Sequence, residues 1–189
     1  DTSSASLNTS RALNGTSTGF GSFNLEQSTN LFTMAGGTIR IFDVCDVATG
    51  EAFEVKSAVA NINVTDGTLE IIPTTGTALA DASNYYITTN ASLGNVLINS
   101  TGSSAVVQLT TGYPLTVLND LNLQSGSFNA NSQNVTIGGD FTIASGTTYT
   151  TGTNTTTFNG SGAQSFTVDL ASALSLNNLT ITKNAGDVL

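Results

Sequence analysis

Residues 115–152 read LTVLNDLNLQSGSFNANSQNVTIGGDFTIASGTTYTTG and contain one unit twice. In the first copy, Leu115–Val117 and Leu121–Leu123 alternate apolar and polar residues, and Ser125–Gly126 follows them. The second copy consists, in the same order and at the same spacing, of Val135–Ile137, Phe141–Ile143 and Ser145–Gly146. Short alternating runs are typical of β-strands, and a fixed period of about 20 residues is typical of a solenoid. The stretch therefore predicts stacked coils of short strands.

A second echo relates Met34–Ile41 to Val64–Ile71 at a longer offset. The pair Asp66–Gly67 inside the later copy is, taken alone, a strong hairpin signal. A similar glycine corner between apolar runs recurs without the aspartate at Met34–Thr38, Leu123–Ser127 and Ile143–Thr147. The recurrence favours a shared corner of stacked coils, and a local hairpin remains the alternative.

Together these echoes predict an all-β fold, a right-handed parallel β-helix with coils of about 20 residues. In such a fold Val117, Leu121 and Leu123 would lie over their counterparts in the second copy, at a strand spacing of about 4.8 Å. The alternative is an antiparallel β-sandwich, which does not need the repeated unit.

The sequence divides into an irregular beginning and one long domain. Residues 1–19 are rich in Ser, Thr and Asn and are interpreted as a linker or an irregular first coil. Residues 20–189 are interpreted as the β-helix, with a loop at 42–56 that leaves the coil and has room for a strand at Phe53–Val55. A third and longest echo, of Leu93–Ile98 in Leu176–Ile181, suggests a second period of four coils. Neither end carries a polar cap, so we expect an excerpt of a longer chain.

Composition excludes several classes of partner. Only 9% of the residues are charged, the net charge is −9, and Lys and Arg number four. Nucleic acids and anionic membrane surfaces bind through Lys and Arg, so neither is an expected partner. No apolar run approaches the roughly 18 residues of a membrane span, and the first residues lack the features of a signal peptide, so we expect any targeting segment to have been removed. The single cysteine, Cys45, excludes an internal disulfide and a cysteine-rich metal site.

Several segments resemble elements of long extracellular β-helix repeat proteins of Bacteroidota. The segments, which recur in such proteins with similar spacing, are Leu176–Ile181, Thr157–Gln164, Phe32–Ile39 and Leu115–Leu123. The resemblance covers roughly residues 20–189. It implies an extracellular, cell-surface location, export by the type IX secretion machinery, and a role as an adhesin or filament. The sorting domain that such proteins carry at the C-terminus is not in this sequence.

Acidic residues offer two candidate cation sites. Asp120 and Asp140 fall one coil apart at the same corner, where two carboxylates about 5 Å apart could share Ca²⁺. A second group contains Asp43, Asp46, Glu51 and Glu54. The first pair has no third ligand and the second lacks the spacing of an EF-hand loop. We therefore interpret both as solvated carboxylates and expect no metal site.

We expect no catalytic residue and no cofactor-binding residue. The chain has no His for acid–base chemistry, and Arg11, Arg40, Lys56 and Lys183 are scattered. Cys45 has no partner His and is interpreted as an idle thiol. Thirteen acids always allow a pair of carboxylates, so a pair alone does not indicate a glycosidase.

Threonines and tyrosines suggest two further surfaces. Thr151, Thr153, Thr155 and Thr157 alternate as an ice-binding face would, but neighbouring coils lack the pattern, and β-propensity explains it better. A groove lined by tyrosines and paired acids would instead favour carbohydrate binding or cleavage; the candidates are Tyr85, Tyr86, Tyr113 and Tyr149.

The sequence is best explained by a non-enzymatic structural or adhesive module of a long bacterial cell-surface stalk or filament. Its expected partners are further β-helix coils of the same protein and a surface glycan or a host or substratum ligand. The alternatives are the carbohydrate-binding or carbohydrate-cleaving β-helix and a small subunit that polymerises end to end through uncapped coils.

Overall fold

The computed structural model describes residues 23–42, 44, 50–73, 83–169 and 174–183. Within these residues the chain forms sixteen β-strands and one turn of 3₁₀ helix, Val59–Asn61. The strands are β1 (Phe23–Leu25), β2 (Phe32–Ile41), β3 (Glu51–Val55), β4 (Ile62–Ile71), β5 (Asn84–Thr89), β6 (Asn95–Asn99), β7 (Val106–Leu109), β8 (Leu115–Val117), β9 (Leu121–Ser125), β10 (Ser127–Asn129), β11 (Val135–Ile137), β12 (Phe141–Ile143), β13 (Thr148–Thr150), β14 (Thr155–Phe158), β15 (Phe166–Val168) and β16 (Asn178–Ile181).

The strands form three sheets. Sheet 1 has the order β1-β3-β5-β7-β10-β13, sheet 2 the order β8-β11-β14-β16, and sheet 3 the order β2-β4-β6-β9-β12-β15. From β7 to β15 the chain visits sheets 1, 2 and 3 in turn, and the strand pairs of all three sheets are parallel. Between β15 and β16 it returns to sheet 1 through a single bridge from Leu174 to Tyr149. A chain that returns to each sheet once per coil is a parallel β-helix. The predicted all-β, parallel β-helix fold is therefore confirmed.

The repeated unit at 115–152 sets the register of the central coils. Val117 pairs with Ile137 in sheet 2, and Leu121 pairs with Phe141 in sheet 3. The second echo is equally real, because Ile39 of β2 pairs with Leu69 of β4. Asp66–Gly67 lies inside β4, which pairs in parallel with β2 and β6, so the hairpin alternative is wrong.

The interior is apolar, with aromatic rings at its centre. Alternate residues of every central strand point inward and are almost fully buried, as in the pattern buried-intermediate-buried of β8, β11 and β12. The ring of Phe141 stacks on Phe166 of the next coil at 5.2 Å and meets Tyr149 edge-on at 5.4 Å. Near the start of the helix, Phe23 and Phe53 stack at 5.2 Å. Stacked side chains of neighbouring coils thus form one continuous core.

Two expectations about the organisation of the chain need correction. The strand considered at Phe53–Val55 exists as part of β3, but β3 pairs with β1 and β5, so residues 51–55 lie within the coil and not in a loop that leaves it. The longest echo does not join equivalent positions, because Asn95 begins β6 in sheet 3 and Asn178 begins β16 in sheet 2. Residues 1–19, Asp43, Cys45 and Asp46 lie outside the described residues.

Candidate functional site

Asp120 and Asp140 stack one coil apart, as the sequence predicts, but each carboxylate is engaged by the backbone. Oδ1 of Asp120 accepts the N–H of Asp140 at 2.7 Å, and Oδ1 of Asp140 accepts the N–H of Ser165 at 2.7 Å. One coil earlier, Oδ1 of Asn95 accepts the N–H of Asp120 at 3.2 Å. The four residues form a corner ladder in which the first three side chains each cap the next coil, and Ser165 contributes its backbone N–H. The two carboxylates therefore have a role in the fold that the sequence interpretation did not include.

The corner ladder predicts how Asp140 responds to substitution. Asp140→Ala removes the acceptor for the Ser165 N–H, and we expect it to lower the free energy of unfolding by about 1 kcal/mol. Asp140→Asn keeps an acceptor oxygen, of the kind that Asn95 provides in an earlier coil. We expect this variant to lose only roughly a few tenths of a kcal/mol, the net difference between a hydrogen bond to a carboxylate and one to an amide oxygen. Urea unfolding of the two variants measures both values. Equal losses would show that charge, and not the hydrogen bond, matters at this corner.

A second corner, between sheets 1 and 2, uses uncharged side chains in the same way. Oδ1 of Asn134 accepts the N–H of Thr155 at 2.9 Å, and Oε1 of Gln133 accepts the N–H of Gly112 at 2.9 Å. Both bonds lie at an exposed corner, where the Asn and Gln side chains give backbone N–H groups of neighbouring coils a protein acceptor. The high content of polar uncharged residues thus has a structural use in addition to solubility.

Glu51 and Glu54 are not solvated loop carboxylates, and that interpretation is wrong for both. Glu54 lies on β3 and is only 2% exposed, and its Oε2 accepts a hydrogen bond from Nζ of Lys56 at 2.8 Å. Burial alone would lower the pKa of Lys56, but the hydrogen bond and charge of Glu54 raise it above the ordinary value. Glu51, at the start of the same strand, is partly buried. The two carboxylates therefore form a packed acidic cluster.

Glu51 ends a chain of hydroxyl groups that crosses sheet 1. The Thr88 hydroxyl donates to Oε2 of Glu51 at 3.1 Å and lies 2.7 Å from the Thr110 hydroxyl, which is then the donor to Thr88. Burial raises the pKa of Glu51 above its ordinary value; the Thr88 bond lowers it, and the nearby charge of Glu54 raises it further. The hydroxyl chain therefore compensates only part of the cost of burying this charge.

The raised pKa of Glu51 gives a pH prediction. A carboxyl with a higher pKa in the folded protein binds its proton more tightly there, so the protein loses stability as pH rises from 4.5 through the folded-state pKa. Glu51→Gln removes this loss and keeps an acceptor for Thr88. In metal-free buffer we expect the variant to have a higher Tm than the wild type at about pH 8, and a difference that shrinks toward about pH 3.5. A difference that grows toward low pH would contradict the assignment.

The predicted tyrosine-lined groove does not form from all four candidates. Tyr85 is 1% exposed and Tyr149 is 3% exposed, and both side chains belong to the core. The hydroxyl of Tyr149 is bonded internally to Thr156 at 3.1 Å and to Asn154 at 3.2 Å. Tyr86 and Tyr113 are half-buried. Support from tyrosines for a carbohydrate groove is therefore weaker than the sequence suggests.

The threonines at 151–157 do not form one flat face, because Thr151 is buried and Thr153 lies in the turn before β14. A different threonine column runs along the outside of sheet 2, one residue per coil. Its members, in register, are Thr116, Thr136, Thr157 and Thr180. The sequence contained a signal for this column, because Thr116 and Thr136 occupy equivalent positions of the repeated unit.

Three searches, for a metal-binding group, a membrane-spanning helix and similar proteins, assign no function to the chain. Within the ranges that the structure describes, no three side chains among His, Cys, Asp and Glu gather closely enough to hold a metal ion. In the same part of the chain no helix has the length and apolar character needed to cross a membrane. Comparison with protein families, with curated protein sequences and with solved structures gave no match for this chain.

Proposed function

We propose that this chain is a non-enzymatic structural or adhesive module of a long bacterial cell-surface stalk or filament. The observation that carries the proposal is the continuity of the three parallel sheets, whose ladders follow one axis through consecutive coils. Each coil adds about 4.8 Å of length. Such a stack makes a rod, and its partners would be further coils of the same protein and a glycan or other ligand on the opposing surface. Export by the type IX machinery is part of the proposal.

The last described strand supports the idea that coils stack further. Leu179 and Ile181 of β16 are 48% and 51% exposed, whereas their register partners in β14, Thr156 and Phe158, are fully buried. Another coil stacked on β16 would bury both apolar side chains and pair the edge of β16, on which the described residues place no further strand. An unpaired strand edge is prone to association. The covering coil in a stalk would belong to the same chain.

Immunogold electron microscopy of intact source cells tests the proposed function. An antibody raised against residues 23–183 is expected to label extended material on the cell surface, and brief protease treatment of intact cells is expected to remove the label. A strain that lacks the protein is expected to attach less to surfaces. Labelling that appears only after the cells are permeabilised would overturn the proposal.

End-to-end polymerisation of small subunits is the second candidate, and the exposure of Leu179 and Ile181 favours it as well. Sedimentation velocity of the purified chain distinguishes the two. Concentration-dependent growth that Ile181→Lys abolishes and Thr180→Lys does not would support polymerisation. A monomer at all concentrations would leave the stalk as the only candidate of the two.

A further inference from the structure

The outer face of sheet 1 carries a polar row near the start of the β-helix. Asn24 of β1 pairs in register with Glu54 of β3, and Glu54 pairs with Thr88 of β5. Their strand neighbours Phe23, Phe53 and Ile87 belong to the interior, so the row lies on the opposite side of the sheet. The carboxylate of Glu51 reaches the same row, because it accepts the hydroxyl of Thr88.

Polar atoms in this row are buried without partners. Glu54 is 2% exposed, and although its Oε2 bonds to Lys56, its Oε1 has no hydrogen-bond partner. Both polar atoms of the Asn24 side chain are likewise buried and unpaired. Buried carboxylate and amide oxygens are almost always paired, and an unpaired one calls for a water or an ion. Two neighbouring residues with orphan oxygens indicate a shared occupant.

The charge of the row favours a cation over a water molecule. Glu51 and Glu54 bring two negative charges, and Lys56 neutralises one of them through Oε2 of Glu54. One carboxylate charge is left over in a partly buried place, where an uncompensated charge is costly.

We propose that Asn24, Glu51 and Glu54 form a binding site for a divalent cation, with Ca²⁺ as the preferred ion. The protein donors are Oε1 of Glu54, the carboxylate of Glu51 and Oδ1 of Asn24, and water completes the coordination. All donors are oxygens, which suits Ca²⁺ and its flexible coordination, whereas Zn²⁺ prefers nitrogen and sulfur ligands. Because the donors come from β1 and β3, the ion clamps the first two strands of sheet 1 together. The site does not depend on the proposed function.

Two measurements on the whole chain, stripped of metal with EDTA, test the site. Because the ion binds the folded state, millimolar CaCl₂ is expected to raise Tm, and NaCl at equal ionic strength is not. Tb³⁺ is expected to bind with luminescence sensitised by tyrosine, since the chain has no Trp, and excess Ca²⁺ is expected to displace it. No change in Tm with Ca²⁺ and no bound Tb³⁺ would overturn the proposal and leave water as the occupant.

Matched variants place the ion. Glu54→Gln is expected to weaken Ca²⁺ binding at least tenfold and to remove the Tm increase. Asn24→Asp adds a carboxylate at the same position and is expected to tighten Ca²⁺ binding, which keeps the test valid if Glu54→Gln folds poorly. Asp140→Asn removes an equal charge at the corner ladder and is expected to bind Ca²⁺ as the wild type does. If Asp140→Asn weakens Ca²⁺ binding and the changes at 54 and 24 do not, the ion lies elsewhere and the proposal is wrong.

Discussion

Gly138→Ala is expected to lower the free energy of unfolding by about 3 kcal/mol, the upper part of the range for overpacked sites. A Cβ at Gly138 would overlap the carbonyl oxygen of Leu118 and lie 2.9 Å from its carbonyl carbon. The neighbour is backbone of the preceding coil, held by the hydrogen bond from Gly138 N to Val117 O at 2.8 Å, so it cannot move aside without loss of the ladder. Urea unfolding followed by circular dichroism measures the effect.

Gly146→Ala is the matched control for this prediction. Gly146 has φ of +76°, and a Cβ there would meet nothing within 4 Å. Its cost is therefore only that of a left-handed backbone conformation, about 1 kcal/mol. Gly138 does not have a positive φ. If Gly138→Ala loses no more stability than Gly146→Ala, close contact between coils is not what requires glycine at position 138.

Phe141→Ala is expected to lower the free energy of unfolding by about 3–5 kcal/mol, the usual cost of deleting a fully buried ring. Phe141 is 0% exposed at the centre of the core. Its ring contacts Phe166 at 5.2 Å, Tyr149 at 5.4 Å and Phe158 at 6.4 Å. Its removal leaves a cavity between two coils that these rings can fill only in part.

Phe166→Ala provides the comparison, because Phe166 lies one coil later and is only half-buried. We expect a smaller loss, about 2 kcal/mol, since less apolar area leaves the water on folding. Denaturant unfolding measures both variants under one set of conditions. A loss at Phe166 equal to or larger than that at Phe141 would contradict the described position of the core.

Sequence periodicity predicted the register wherever successive coils have equal length. Leu121 and Phe141 face the same interior because the offset between them is a whole coil and side chains alternate with a period of two. Coil length is not constant elsewhere in the chain. Phe141 pairs with Phe166 and Phe53 pairs with Ile87, and both pairs are further apart in the sequence than Leu121 and Phe141. The longest echo assumed constant coils and therefore joined positions on different sheets.

The sequence analysis named Glu51 and Glu54 but missed their burial, because charge was interpreted as a sign of a loop. Phe23–Leu25 and Phe53–Val55 share the offset that relates β2 to β4, and this echo marks β3 as a strand. Once β3 is a strand, Asn24 falls beside Glu54. The orphan oxygens themselves depend on side-chain contacts across three strands, which no linear pattern contains.

The corner residues show a similar limit. The spacing of Asp120 and Asp140 was visible in the sequence, but their acceptor role was not, because the donors are backbone N–H groups of the next coil. Tyr85 and Tyr149 were expected at a groove, yet both occupy inward positions of their strands and are buried. The strand period decides their direction, and a count of tyrosines does not.

The central claim is that coils stack along one axis in parallel register. Sheet 3 carries an outward column of one residue per coil: Arg40, Glu70, Leu97, Asn122, Thr142 and Thr167. Spin labels at positions 40 and 142 lie four coils apart, about 19 Å, and labels at 40 and 167 lie five coils apart, about 24 Å.

Double electron–electron resonance on Arg40→Cys/Thr142→Cys and Arg40→Cys/Thr167→Cys, both with Cys45→Ser, measures these distances. We expect the second distance to exceed the first by about 5 Å, one strand spacing, although a whole further coil of chain separates the labels. Equal distances, or a difference of several strand spacings, would contradict the stacked parallel β-helix.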